Sequence, residues 1–189
     1  TADTGDAIAR FDHEDEVETV TVSPDGTQLS TTSLIEAAQV WDIATSSVTE
    51  TLSHTIRVNE VAFSPDGQFL ATAGEDGTAK LWDTTSAAET RQLTHTATVR
   101  SVDFGSEDGG QVVTASNDGT VKIWDTATGT ATQTFSHPGS VRSVSLSEAG
   151  DRIATASDDD VARVWDVATG ETLFSYDHED KLLSVRFSP

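Results

Sequence analysis

Five histidines, His13, His54, His95, His137 and His178, follow one another at intervals of 41, 41, 42 and 41 residues. Imidazole is the common general base and metal ligand, so a His recurring in register raises the question of catalysis or metal binding. Its companions recur too: Trp41, Trp82, Trp124 and Trp165 are each followed by Asp, at intervals of 41, 42 and 41 residues. A period of that length places every imidazole in a different structural unit, so the five do not converge on one ion or substrate. The spacing therefore assigns each His a structural role within its own repeat. No paired carboxylates, Ser/His/Asp constellation or phosphate-cradling glycine loop stands out, and the glycines fall in repeat turns. The absence of cysteine excludes disulfides, thiolate metal sites and cysteine nucleophiles.

The elements that must hold these residues are clearest in the second repeat, HTIRVNEVAFSPDGQFLATAGEDGTAKLWDTTSAAETRQLTH, from His54 to His95. Val58, Val61 and Phe63 precede the turn SPDG, the run QFLATA follows, EDG makes a second tight turn, and TAKLWD is a third run. AAETRQL is a fourth and weaker one, leading to the next His. Short runs bounded by Gly, Pro and Asp are strands separated by turns. Leu70, Ala71, Ala73, Ala79 and Leu81 put small and apolar residues on both faces of the second and third strands. A sheet sandwiched between two others needs that pattern. Four antiparallel strands in about 41 residues is the spacing of a propeller blade.

On these residues the chain resembles the WD40-repeat β-propellers, and the likeness covers essentially all of 1–189. The resemblance implies an all-β fold, a partial β-propeller of four-stranded antiparallel blades. Its repeat units are 13–53, 54–94, 95–136 and 137–177, with a lone fourth strand at 5–12 and a lone first strand at 182–188. It also implies a tetrad in each blade: the His before the first strand, a hydroxyl in the second, the Asp of the second turn and the Trp of the third. Carried over by position, these are His54, Thr72, Asp76 and Trp82; His95, Thr114, Asp118 and Trp124; and His137, Thr155, Asp159 and Trp165. Indole N–H, hydroxyl, imidazole and carboxylate can close a chain of donors and acceptors. DGTVKIWD and its relatives recur, on this reading, because each blade needs its turn Asp and its Trp.

Three departures stand out. Repeat one keeps His13, Thr31 and Trp41 but has Ile35 at the Asp position and Glu36 at the following Gly position, so its tetrad is expected to be broken and its second turn to differ. Repeat four has Asp160 where Gly77 and Gly119 stand, and Asp tolerates a left-handed conformation better than most residues. Repeat three has the longer first turn GSEDGG. The termini align as well: 3–24, DTGDAIARFDHEDEVETVTVSP, matches 168–189, ATGETLFSYDHEDKLLSVRFSP. The expectation is eighteen strands, about four and a half blades. Such an array does not close by itself, so the chain is expected to be a piece of a longer protein or to assemble with another copy through its open blade edges.

The family resemblance implies a non-catalytic scaffold that holds a protein partner of unspecified identity, with no cofactor and no metal. The candidate contacts are Glu14, Glu16, Thr55, Arg57, Glu75, Thr96, Thr98, Asn117, Ser140, Asp158, Glu179 and Lys181, at the loop before the first strand and at the second turn. Arg57 is the leading one, because an Arg among acids can grip a carboxylate bidentately. The alternatives are a quinone-dependent enzymatic propeller and a structural array within a larger signalling or surface protein. DTATG at 125–129 and DVATG at 166–170 resemble the Asp-x-x-Thr-Gly of quinoproteins, but the docking Trp that should follow is absent, and a plain turn accounts for both.

Charge limits the partners. Asp plus Glu number 32 against 11 Lys plus Arg, a formal net charge of −21, which repels phosphate and anionic lipid. Nucleic acid is therefore not an expected partner. No run approaches the roughly 18 apolar residues of a membrane-spanning helix, so no membrane insertion is expected either. The acids are dispersed through every repeat and the lysines are only Lys80, Lys122 and Lys181, a composition similar to that of halophilic archaeal proteins. The expected consequence is loss of compactness below about molar salt, as the screening length grows from about 3 Å at 1 M to about 10 Å at 0.1 M. Circular dichroism in KCl checks this, and spectra identical at about 0.1 M and about 3 M would exclude salt adaptation in favour of an acidic interface.

Overall fold

The computed structural model describes residues 9–34, 37–105 and 108–188, and every regular element in them is a strand. Blade one comprises β1 (Val17–Val22), β2 (Gln28–Ser33), β3 (Ala37–Asp42) and β4 (Ser47–Ser53). Blade two comprises β5 (Val58–Phe63), β6 (Phe69–Gly74), β7 (Thr78–Asp83) and β8 (Glu89–Thr94). Blade three comprises β9 (Val99–Gly105), β10 (Gln111–Ser116), β11 (Thr120–Asp125) and β12 (Ala131–Ser136). Blade four comprises β13 (Val141–Leu146), β14 (Arg152–Ser157), β15 (Val161–Asp166) and β16 (Thr172–Asp177). Each is an antiparallel sheet in chain order, as the short turns require, with its Trp in the third strand.

One register repeats in all four sheets. Trp41 lies opposite Leu29, Trp82 opposite Leu70, Trp124 opposite Val112 and Trp165 opposite Ile153. The ladder to the fourth strand shifts at each Trp. Turn chemistry fixes these registers. Gly77 and Gly119 take φ of 82° and 81° in the second turn, and Asp160 takes the same left-handed region at 62°, as its position in the repeat anticipates. The Asp after each Trp is used in the next turn: the Thr45, Thr128 and Thr169 amides donate to Asp42, Asp125 and Asp166, at 2.8, 2.7 and 2.8 Å. The Asp-x-x-Thr segments are thus turn caps.

The sheets stack through their first strands, with β1 beside β5, β5 beside β9 and β9 beside β13. Two contacts recur at the junctions, the first at all three and the second between blades two and three and between blades three and four. The first is apolar: the residue two before each His enters the buried cluster of the next blade's Trp. Leu52 joins Trp82, Leu93 joins Trp124, and the Phe135 ring meets Trp165 at 5.4 Å. The second is polar. Amides of β9 and β13 are capped by side chains of the blade before, as Val102 N donates to Glu60 at 3.0 Å, Val144 N to Ser101 at 3.2 Å and Leu146 N to Asp103 at 3.1 Å. These bonds satisfy strand-edge donors that would otherwise be orphaned. Burial pushes the Asp103 carboxyl above its ordinary range, against the pull of the Leu146 amide and Arg186.

The described residues contain sixteen of the expected eighteen strands; the C-terminal expectation needs correction, and the N-terminal one lies partly outside the described residues. Of the expected strand at 5–12, residues 5–8 lie outside the described residues and 9–12 are not strand. Residues 182–188 run beside β13, with Val185 N on Ser143 at 3.2 Å and Phe187 N on Ser145 at 3.4 Å, but they form no ladder. The physical reason at 182–188 is that a strand needs a hydrogen-bonded neighbour, and this segment has no ladder partner among the described residues. The altered turn at Ile35 and Glu36, and residues 106–107 of the longer turn in repeat three, also lie outside the described residues.

Phe135 is 3% exposed at the junction of blades three and four, and removing its ring empties that junction. Phe135→Ala is expected to cost about 3 to 5 kcal/mol in urea melts. A loss below about 1 kcal/mol would mean that the junction carries little of the stability.

Candidate functional site

In blades two and three the four residues of the tetrad meet. Trp82 Nε1 donates to Thr72 Oγ1 at 2.9 Å, and Thr72 Oγ1 lies 2.7 Å from His54 Nε2. His54 Nδ1 lies 3.1 Å from Asp76 Oδ2. The corresponding distances in blade three, through Trp124, Thr114, His95 and Asp118, are 2.8, 2.7 and 3.0 Å. A carboxylate only accepts, so each His carries its proton on Nδ1, and the bare Nε2 accepts a hydrogen bond from the Thr hydroxyl. The aspartates also hold neighbouring loops. Asp76 accepts from the Thr55 amide at 3.1 Å and the Thr78 hydroxyl at 2.6 Å, and Asp118 from the Thr96 amide at 3.0 Å and the Thr120 hydroxyl at 2.6 Å.

This surrounding sets the ionisation. Burial pushes His54 and His95 below the ordinary imidazole range, and the aspartate beside each only partly offsets it. Burial by itself would raise Asp76, but the Thr78 hydroxyl, the Thr55 amide and His54 outweigh it and hold the carboxyl at about 2. Asp118 is held below the carboxylate range in the same way. A neutral imidazole whose two nitrogens are both engaged is poorly placed for proton transfer to a ligand. Among the described residues, no group of three or more His, Cys, Asp or Glu side chains is placed to hold a metal.

Blade four departs from the expected tetrad. His137 Nε2 meets Thr155 at 2.8 Å and Trp165 Nε1 donates to Thr155 at 3.0 Å, but Asp159 has turned away. Arg163 Nη1 donates to Asp159 Oδ1 at 3.0 Å, and its Nη2 lies 2.7 Å from Oδ2. His137 Nδ1 is left buried without a well-formed hydrogen bond, with only a weak pull from the Phe135 carbonyl. Burial and then the Arg163 charge push His137 down to about 4. The cause is legible once seen: Val161 stands where Thr78 and Thr120 supply the hydroxyl that holds the carboxylate toward its His, and Arg163 replaces Lys80 and Lys122. Blade one substitutes differently. His13 Nε2 meets Thr31 at 2.8 Å, Trp41 donates to Thr31 at 2.9 Å, and His13 Nδ1 donates to the Phe11 carbonyl at 3.1 Å.

The twelve candidate contact residues divide by use. Thr55 and Thr96 are exposed and tied by their amides to Asp76 and Asp118. Thr98 donates to the Glu75 carbonyl at 3.4 Å, and Ser140 to the Asn117 carbonyl at 3.2 Å, so all four of these residues join one blade to the next. Arg57 forms an ion pair with Glu18 and so already grips a carboxylate of this chain. Asn117 and Asp158 are held by Arg100 and Arg142, two residues that sequence reasoning did not single out. Both arginines occupy the second position of a first strand, which is the signal that could have found them. Glu14, Glu16, Glu179 and Lys181 are exposed.

Repetition of one blade with its His–Thr–Trp core defines a WD-repeat propeller architecture. The family pattern described as "WD domain, G-beta repeat" matches residues 45–83, 88–125 and 129–166, more than half of the chain, which therefore belongs to the WD40-repeat family. Each match begins around the fourth strand of one blade and ends on the third strand of the next, so it straddles a junction. Residues 13–44 of repeat one, Ile35 and Glu36 among them, lie outside the matched residues. No individual curated protein matches the chain significantly. WD40 repeats serve generally as protein-interaction scaffolds, and the family is typically non-enzymatic.

His95→Ala is expected to cost about 1 to 3 kcal/mol in denaturant melts, because it strands Asp118 and Thr114. His137→Ala is expected to cost about 1 kcal/mol less, since the Asp159 bond is not made; equal losses would contradict the altered fourth tetrad. Acid sensitivity follows with its sign. A His whose pKa falls on folding binds fewer protons when folded, so its contribution is complete above about 6.5 and is lost as pH falls toward the folded value. For His137 that window runs from 6.5 to about 4 and is worth up to about 3 kcal/mol. Urea melts at about pH 7 and about pH 4.5 should show this loss, and His137→Gln should shrink it.

Proposed function

We propose that the chain is a non-catalytic scaffold that holds a protein partner on the propeller face bearing the loop before each first strand and the second turn of each blade. The single observation supporting this reading is that Asp76 and Asp118 each join the two loops of their blade, through the Thr55 and Thr96 amides. A loop pair held in place before contact loses little freedom on binding, which is what a recognition surface gains from a rigid scaffold. The exposed acids of this face, Glu14, Glu16 and Glu179, favour a partner with basic side chains. The remaining acids, scattered over the surface, fit adaptation to a salt-rich solvent.

The test is a pull-down in molar KCl with this chain as bait, followed by substitution. Glu75→Ala and Thr96→Ala are expected to weaken capture, each by about three- to tenfold, while Gln92→Ala on the fourth strand leaves it unchanged. Loss of capture only on fourth-strand substitution would move the partner to the outer rim and overturn the assignment.

A further inference from the structure

Arg91, on the fourth strand of blade two, crosses onto blade three. Its stem passes over Gly129, where a Cβ would meet Arg91 Cδ at 3.0 Å, and its Nη2 donates to the Ala127 carbonyl. Its charge adds to the Thr128 hydroxyl and amide in holding the Asp125 carboxyl below its ordinary range. An alkyl stem laid along the protein with its charged head beside a carboxylate satisfies both parts of an arginine.

The junction of blades one and two has the same site with the arginine replaced. Glu50 stands at the position of Arg91, in the same register opposite Val40 as Arg91 is opposite Leu81, while Asp83 and Ala87 stand at the positions of Asp125 and Gly129. Glu50 is exposed, and its carboxylate joins no hydrogen bond or ion pair among the described residues. The neighbours shrink as well: Val40 replaces Leu81, and Gln28 replaces Phe69, which packs on the buried cluster of the next junction. The result is a narrow apolar slot with a volume of about 10 Å³, lined by Val40, Leu52, Phe63, Leu70, Trp82 and Ala87, with Glu50 and Asp83 as its carboxylates. The Ser86 hydroxyl and amide hold Asp83 below the ordinary carboxylate range, so it is an anion at neutral pH. Its Oδ1 takes all of the bonds from Thr85 and Ser86, which leaves Oδ2 for another donor. A polar cleft of about 500 Å³ adjoins the slot through Gln28 and Thr84 and carries Asp25 and Asp66. None of these four carboxylates is paired with a cation among the described residues.

We propose that the slot between blades one and two binds an arginine side chain of a partner polypeptide, as the next junction binds Arg91. The stem lies along the apolar lining, and the guanidinium reaches Glu50 and Asp83, a planar fork meeting carboxylates. Lysine has the charge without the fork, so arginine is preferred. A second basic residue beside the first falls in the cleft of Asp25 and Asp66, which makes the occupant an arginine pair. The site lies at the end of the sheets that carries the first turn and the turn after the third strand, opposite the loop face. It is therefore independent of partner binding on that face.

The probe is a fluorescein-labelled glycine–serine peptide with a central Arg-Arg pair, titrated by anisotropy in molar KCl while NMR follows the Trp82 indole signal. Saturable binding that shifts this signal is expected. Citrulline in place of both arginines, similar in shape but uncharged, is expected to weaken binding by about tenfold or more, and lysine by about threefold. Glu50→Gln is expected to weaken it by about threefold to tenfold, and Glu50→Arg, which fills the slot from within, by about thirtyfold or more. Circular dichroism confirms folding, and Glu50→Arg is also expected to raise the midpoint of urea melts, because it copies the Arg91 contact. Should Glu50→Arg not fold, Glu50→Gln decides alone. The proposal is overturned by a peptide that does not bind, by one that binds no better than its citrulline or lysine forms, by an unmoved Trp82 signal, or by affinity unchanged in the Glu50 variants. A lowered melting midpoint in folded Glu50→Arg overturns it too, since the parallel with Arg91 would then be false.

Discussion

Everything in this fold depends on the double hold on each blade's Trp. Its indole N–H is taken by the Thr of the neighbouring strand, at 2.8 to 3.0 Å in all four blades. Its ring is covered by a side chain from the blade before, Leu52, Leu93 or Phe135, and by Phe11 at the start of the array. The first hold orders a sheet internally, and the second makes that sheet depend on its neighbour. A single blade would bury one face of a large aromatic and leave the other in water, so stability accrues per junction rather than per blade.

Against that constant, the His and Asp positions vary with their local chemistry. Blades two and three close the chain through a carboxylate, blade one through a backbone carbonyl, and blade four surrenders its Asp to Arg163. What survives in all four is the contact of His with Thr. The hydroxyl is the node of the network: it accepts from the indole, and in blades two and three it donates to the imidazole, whereas the carboxylate orders loops outside the sheet. Loss of the carboxylate therefore leaves the strands paired. The acidic composition is compatible with this core because many aspartates serve as turn acceptors, Asp42, Asp125 and Asp166 among them.

The repeat, the strands and the tetrads of blades two and three were legible in the sequence because they rest on short-range chemistry: Gly at left-handed turn positions, Asp two residues before its Thr, and Thr and Trp at a fixed offset in paired strands. The failure in blade four was legible only in part. Val161 and Arg163 are visible departures, but that a guanidinium outcompetes an imidazole for one carboxylate depends on where the side chains meet. The candidate contacts fared similarly, because Arg57 reads as a free cation until Glu18 of the preceding blade is placed beside it.

The sequence by itself determined the blade: its four strands, its register about the Trp and its polar core, all set within about 41 residues by turn chemistry and hydrophobic pattern. Tertiary structure alone decided the junctions. The capping of Val102, Val144 and Leu146 amides by Glu60, Ser101 and Asp103 joins residues about 42 apart, with no local signal for the pairing. It decided the C-terminal segment as well. Residues 182–188 carry the pattern of a strand, yet they form none, because a strand exists only where a neighbour supplies its hydrogen bonds and none does so among the described residues.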